Sequence, residues 1–356
     1  MIARDDLRAA VGAGVITEAQ AANLASLADS RRGARENLAP GDEPFELFKG
    51  FNEIFIVIGL GILAFGWAGV LTYLFGREVT NPSQFATLYG AIGAAIIWVL
   101  SEYFIRKRRM VAPAIALSLL FAGNAAFSLV AIFAQPFMVA QQDYSSLPLP
   151  FAIGTLALFV FWLRFRVPFA MAMIAVGLFI VAMLLAATSQ GTPESPSDLF
   201  LLSAGGPFAW ITLLLGFAVF AAAMWFDMSD PHRVTRRAAN GFWLHVVAAP
   251  ALVNTLALTL LRSDANAALF AMMMLFSIVA IIIDRRSFLI AAIGYIVVLA
   301  ATVFDGDGAA VTVLVLGIVL LTLGAFWERI RAIVLRPLSG ILPLHKLPPT
   351  NIPSKD

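Results

Sequence analysis

Ten apolar runs, each long enough to cross a bilayer, follow one another along this chain and are separated by short polar turns. No other feature restricts the fold as strongly. A hydrocarbon core about 30 Å thick needs about 20 apolar residues in a helix. The runs lie at Glu53–Phe75, Gln84–Ile105, Val111–Ala134, Pro148–Leu163, Val167–Thr188, Pro207–Phe226, Phe242–Leu261, Ala265–Ile283, Ser287–Phe304 and Ala309–Phe326. Each is continuously apolar rather than alternating. That pattern selects helices over a β-barrel, whose strands alternate apolar and polar residues. The composition agrees: 60% of residues are hydrophobic and 13% charged, against about 45–50% and about 25% in soluble domains. The expected fold class is all-α, a polytopic membrane bundle of ten transmembrane helices.

Basic residues set the expected orientation. With both termini in the cytoplasm, 22 of the 24 lysines and arginines fall inside, and only Arg77 and Arg262 fall outside. Every inside turn is then basic, as the positive-inside rule requires. Seven of the 22 acids lie outside, at Glu78, Asp143, Glu194, Asp198, Asp264, Asp305 and Asp307. The inside surface suits anionic lipid headgroups. Nucleic acid is not an expected partner, since no basic face sits on a folded soluble domain. Trp162, Trp225, Trp243 and Trp327 fall at inside helix ends, where indole rings favour the headgroup layer. The first forty residues are polar and hold no signal-peptide core, so the expected location is a bacterial inner membrane with the first span as insertion signal.

Residues 1–28 read as a small cytoplasmic helical hairpin, with Thr17 and Gln20 spaced as a capping box. So small a unit has little core of its own, and it suggests docking on the bundle or on a protein partner. Residues 29–50 read as a linker and interfacial approach, 51–328 as the transmembrane domain, and 329–356 as a cytoplasmic tail, whose proline-rich stretch 337–356 is expected to be extended or mobile with His345 solvated. Four inside turns share one pattern, a basic cluster between an apolar helix and a small-residue helix: FIRKRRMVAPAIAL, FWLRFRVPFAMAMIAVG, MWFDMSDPHRVTRRAANGFWLHVVAAP and IIIDRRSFLIAAIGY. They suggest antiparallel hairpins in parallel repeat.

Ionisable residues inside a span usually mark function. Here the span interiors hold no lysine or arginine, and Glu53, Glu102, Asp227 and Asp284 all sit near inside ends. A retinal Schiff base has no lysine to use. A bis-histidine haem has only one span histidine, His245, and no metal-ligand spacing is present. No cofactor and no metal are therefore expected, and no enzyme motif is found. The candidate polar intramembrane residues are Asn124, His245, Pro250 and Asn254. His245 reads chiefly as a neutral imidazole bonded to a neighbouring helix or a headgroup. Pro250 frees one backbone carbonyl and suggests a bend. His245 and Asn254 are nine residues apart, on opposite faces of a straight helix. Asn124 bonded to Asn254 or to another helix would act as glue, at about 0.6–2 kcal/mol. Glycines of the first two spans, Gly59, Gly61, Gly66, Gly69, Gly90 and Gly93, permit close helix approach. Arg233, Arg236 and Arg237 are candidate contacts for headgroups or phosphate.

The run FDMSDPHRVTRRAANGFWLHVVAAPALVN resembles a segment that recurs in polytopic inner-membrane proteins of alphaproteobacteria. The opening GVITEAQAANL is similar to the start of predicted bacterial membrane proteins in a domain-of-unknown-function family. The resemblance implies an inner-membrane location and carries no catalytic residues. Three functions remain open on the sequence: passage of a small or amphiphilic solute, a non-catalytic membrane scaffold that binds a partner, and a lipid-active enzyme using Glu102, Asp227 or His245 beside Arg233–Arg237.

Overall fold

A computed structural model describes residues 4–17, 20, 24, 51–75, 81–141, 143–231, 233, 235–285, 307–338, 340 and 343–348. Its α-helices are α1 (Arg4–Gly12), α2 (Phe51–Phe75), α3 (Pro82–Ser101), α4 (Ala112–Phe133), the single turn α5 (Met138–Gln141), α6 (Pro148–Phe165), α7 (Pro168–Gln190), α8 (Phe208–Met228), α9 (Arg236–Arg262), α10 (Asn266–Ile283) and α11 (Asp307–Leu335). Eight of these are long and apolar enough to cross a membrane: α2, α3, α4, α6, α7, α8, α9 and α10. The expected run Ser287–Phe304 lies outside the described residues, and Ala309–Phe326 falls within α11. No strand occurs among the described residues.

Local chemistry starts and stops these helices. Four spans open with proline in the first turn, where the missing N–H costs nothing: α3, α4, α6 and α7. Asn81 caps α3 by accepting from Ser83 N at 3.2 Å. α3 runs on into a π-helical turn, Glu102–Lys107. The four basic turns then share a detail that residue type alone does not dictate. Each holds one non-glycine residue in the left-handed region: Arg109 (φ 52°), Arg166 (54°), Arg233 (52°) and Asp284 (57°). Such residues are uncommon, and here they reverse the chain in a few residues.

The helices alternate in direction, so the turns after α3, α6, α8 and α10 gather at one end of the bundle with the start of α2. We call this the basic end. Hairpin partners pack most closely, α3 on α4, α6 on α7 and α8 on α9. One apolar cluster joins α2, α3, α4 and α6 through Leu60, Ile97, Leu117, Phe121, Phe161 and Phe165. The Phe121 and Phe161 rings stack at 4.8 Å, and Trp98 meets Phe161 edge-on at 5.9 Å. A second cluster joins α8, α9, α10 and α11 through Leu213, Leu252, Val253, Leu269, Met273 and Trp327. Between them, Ala175, Val219, Ala223, Leu244 and Ala248 let α7, α8 and α9 approach closely.

The glycines divide into two groups. A Cβ on Gly93 would lie 2.1 Å from Asn124 Oδ1, and one on Gly90 would lie 2.5 Å from the Asn124 carbonyl oxygen. The Ser128 hydroxyl also donates to Thr87 O at 2.9 Å across this seam. Gly59, Gly61, Gly66 and Gly69 of α2 meet nothing within 4 Å. Close packing at glycine thus holds for α3 and not for α2. Gly93→Ala is expected to destabilise the chain by about 1–3 kcal/mol through overpacking. Gly59→Ala should be neutral or stabilising by up to about 1 kcal/mol, through helix propensity. Unfolding of both variants in detergent checks this, and equal losses would contradict the packing.

At the N-terminus, Gln20 N donates to Thr17 Oγ1 at 3.2 Å and Thr17 N donates to Gln20 Oε1 at 2.9 Å, the reciprocal pair of a capping box. The rest of the expected second helix and the linker 29–50 lie outside the described residues. Part of the tail expected to be extended or mobile is tied to α11. Leu344–Lys346 form a 3-10 turn, Leu347 and Pro348 are buried, and Arg331 donates to Pro348 O at 2.8 Å. The guanidinium supplies a strong donor to a carbonyl that would otherwise be buried unpaired.

Candidate functional site: a buried charge network at the basic end

α8 is apolar almost throughout and ends in Trp225–Phe226–Asp227–Met228. The helix turns Asp227 toward α9, where it is buried. Its carboxylate can sit there because the facing residue is Gly241, on which a Cβ would lie 2.1 Å from Asp227 Oδ1. One turn further along α9, His245 Nε2 lies 2.9 Å from Asp227 Oδ2. His245 has no exposed surface. Arg285, just past α10 and 2% exposed, completes the group. Its Nε donates to Asp227 Oδ2 at 3.0 Å, its Nη2 donates to Asp227 Oδ1, and Nη2 also reaches Ala238 O at 3.0 Å. The result is a two-pronged guanidinium–carboxylate pair with an imidazole against the same carboxylate, binding α8, α9 and the end of α10.

A second pair lies beside the first. Asp284 ends α10 in the left-handed conformation. Its Oδ2 pairs with Arg233 Nη1 at 2.9 Å, and its Oδ1 accepts from Trp327 Nε1 of α11. Arg233 Nη2 also donates to the Asp284 carbonyl at 2.7 Å. Arg331 adds a bond to Ile281 O at 3.2 Å. These donors satisfy carbonyls of the last turn of α10, which have no partner inside the helix. Asp230 organises the turn before α9: its Oδ2 accepts from Thr235 N at 2.7 Å and Thr235 Oγ1 at 2.8 Å, and Thr235 in turn caps α9.

The other half of the bundle uses charge at the same end differently. Glu53 is buried at the start of α2 and accepts from Val111 N and Ala112 N, at 3.2 and 2.9 Å, the exposed donors at the start of α4. Glu102 bridges Arg106 at 3.0 Å and Arg164 at 2.8 Å near the surface. Glu53→Ala is expected to cost about 1–2 kcal/mol, the loss of a charged helix cap. Glu53→Gln should cost less, because one amide oxygen still accepts. Equilibrium unfolding in detergent reads the difference.

The candidate residues are thus distributed as follows. His245 is bonded to a neighbouring helix, through Asp227. Pro250 lies on an exposed face of α9, which continues as helix through it, and Asn254 one turn on is half-buried. Asn124 does not reach Asn254: its amide donates to Leu120 O in its own helix at 2.8 Å. Arg233 is 3% exposed in the ion pair, whereas Arg236 and Arg237 are exposed. Of the indoles expected in the headgroup layer, Trp225 is exposed but Trp327 is buried against Asp284.

Sequence reasoning placed Asp227, Asp284 and Arg285 at helix ends and did not pair them. The usable signal was an acid closing each of two apolar runs, FD at Asp227 and IIID at Asp284, with arginine following. Among the described residues, no three His, Asp or Glu side chains gather as a metal site. No protein family, curated protein or solved structure matches this chain. The eight spans make it an integral membrane protein.

Proposed function

We propose that this protein passes a small or amphiphilic solute across the membrane and that the charge network at the basic end is the lock that closes the path. One observation carries the reading: two ion pairs and a histidine are buried together in a bundle otherwise poor in charge. Buried pairs give little net stability compared with apolar residues of the same volume. Ionisable groups buried at the ends of membrane-spanning helices, facing the bundle interior, point to function. A network that ties α8, α9, α10 and α11 through side chains suits a bistable latch, because its bonds can exchange together for water. The basic end faces the cytoplasm of a bacterial inner membrane in this reading, by the positive-inside rule.

Proteoliposomes holding a self-quenched anionic dye inside and a fluorescent phospholipid in the bilayer test it. The expected result is protein-dependent release of the dye or scrambling of the lipid. Arg285→Met should raise the basal rate by loosening the lock. No passage of either probe, with folded protein and at any pH from 5 to 8, would sink the reading.

A scaffold role is the second reading. It is favoured by the glycine face of α2, which no side chain covers among the described residues. Deleting residues 1–40 should then abolish co-purification of a partner, and an unchanged complex would count against it. The lipid-active enzyme is less well supported, since Asp227 and His245 are turned to each other, and Arg233 to Asp284, rather than to the surface.

A further inference from the structure

Between α2, α3 and α4 lies a cleft of about 90 Å³, walled by residues that include Leu60, Leu63, Trp67, Tyr89, Ile96 and Asn124. It lies at mid-depth. Asn124 is near the middle of α4, and Trp67 and Gly93 are well inside their helices. Leu63 and Ile96 are partly exposed, so the rim opens on the apolar outer surface.

Two polar atoms on this cleft are buried and have no hydrogen-bond partner: Trp67 Nε1 and Asn124 Oδ1. The identity of the second is fixed by chemistry. The other end of the amide bonds the Leu120 carbonyl, which only accepts, so the NH₂ is spent there and the oxygen is left over. Unsatisfied polar groups at membrane depth are costly, and native structures keep few of them. One unpaired donor and one unpaired acceptor thus belong to residues that line the cleft, beside mostly apolar walls that include the Tyr89 ring.

We propose that this cleft binds a neutral, hydroxyl-bearing lipophile of the long-chain alcohol class. A hydroxyl both accepts and donates, so this one class of group matches in kind both the Trp67 Nε1 donor and the Asn124 Oδ1 acceptor. No charged side chain lines the cleft. A phosphate, carboxylate or ammonium would be buried there without a counter-charge, which excludes phospholipid headgroups and fatty-acid anions. The hydrocarbon part fits the Leu60, Leu63 and Ile96 walls and leaves over the rim into the acyl chains. The site stands apart from the charge network and does not depend on the transport reading: flux can fail and binding still hold.

The test is photolabelling of the full chain in nanodiscs with a diazirine-bearing long-chain alcohol, mapped by peptide mass spectrometry. Adducts are expected on residues 60–67, 89–100 and 120–124, competed by excess plain alcohol. The methyl ether, which cannot donate, and the phosphate ester, which is charged, should compete at least about fivefold less well, the cost of one lost hydrogen bond. Asn124→Leu and Trp67→Phe should each lower labelling by about fivefold. Trp67→Phe keeps the ring and serves as the variant that folds. Labelling spread evenly over the outer faces, equal competition by the ether or the phosphate ester, or full labelling of a folded Trp67→Phe variant would overturn the proposal.

Discussion

Asp227→Ala is expected to destabilise the protein by about 3–5 kcal/mol, the loss typical when one partner of a buried ion pair is removed. The penalty comes from what stays behind. Arg285, 2% exposed beside Asp227, keeps its charge and retains the Ala238 carbonyl as an acceptor, at 3.0 Å. His245 loses the carboxylate 2.9 Å from its Nε2. A double-mutant cycle separates the pair from the cavity: Asp227→Ala with Arg285→Met should cost clearly less than the two single losses added together, because no buried charge is then left alone. Equilibrium unfolding in detergent provides all four values. A loss below about 1 kcal/mol for Asp227→Ala would mean that water reaches the pair and that it behaves as a surface bridge. Gly241→Ala approaches the same effect from the other helix, since its Cβ occupies the place of Asp227 Oδ1.

The second large loss is expected at Asp284. Asp284→Ala removes the partner of Arg233 and the acceptor of the Trp327 indole, both buried. It also puts alanine at φ 57°, where aspartate and asparagine are more at ease. The two effects together should reach about 4–6 kcal/mol. Asp284→Asn keeps an acceptor and the backbone preference, so it should lose markedly less. Arg236→Ala and Arg237→Ala, on exposed side chains, should change stability by less than about 0.5 kcal/mol. They should instead weaken binding of anionic vesicles, measured by co-flotation of the purified protein. If Arg233→Ala and Arg237→Ala proved equally harmless to folding, the buried pair would not hold the turn.

Much of the architecture was legible from spacing. The span positions follow from the length of each apolar run, and four proline-led starts and the Thr17–Gln20 capping box follow from local rules. His245 reads from sequence as bonded to a neighbouring helix or a headgroup, and the structure sets it against Asp227. Its partner could not be read, because Asp227 and Arg285 are 18 and 40 positions away and only helix packing brings them to it. Asn124 shows the opposite failure. An amide mid-span invites a partner on another helix, but α3 faces it with Gly90 and Gly93, which carry no side chain to bond it, and the amide donates within its own helix.

The sequence by itself determined that the chain is a bundle of membrane helices with its charge at one end. Bilayer thickness and backbone hydrogen bonding allow nothing else for such runs. Only the tertiary structure decided which charges are buried. Arg233 and Arg237 are alike as residues in one basic turn. A left-handed turn at Arg233 and a facing Asp284 bury the first, while the second stays on the open face of α9. Burial depends on what lies opposite, and that is a property of packing rather than of composition.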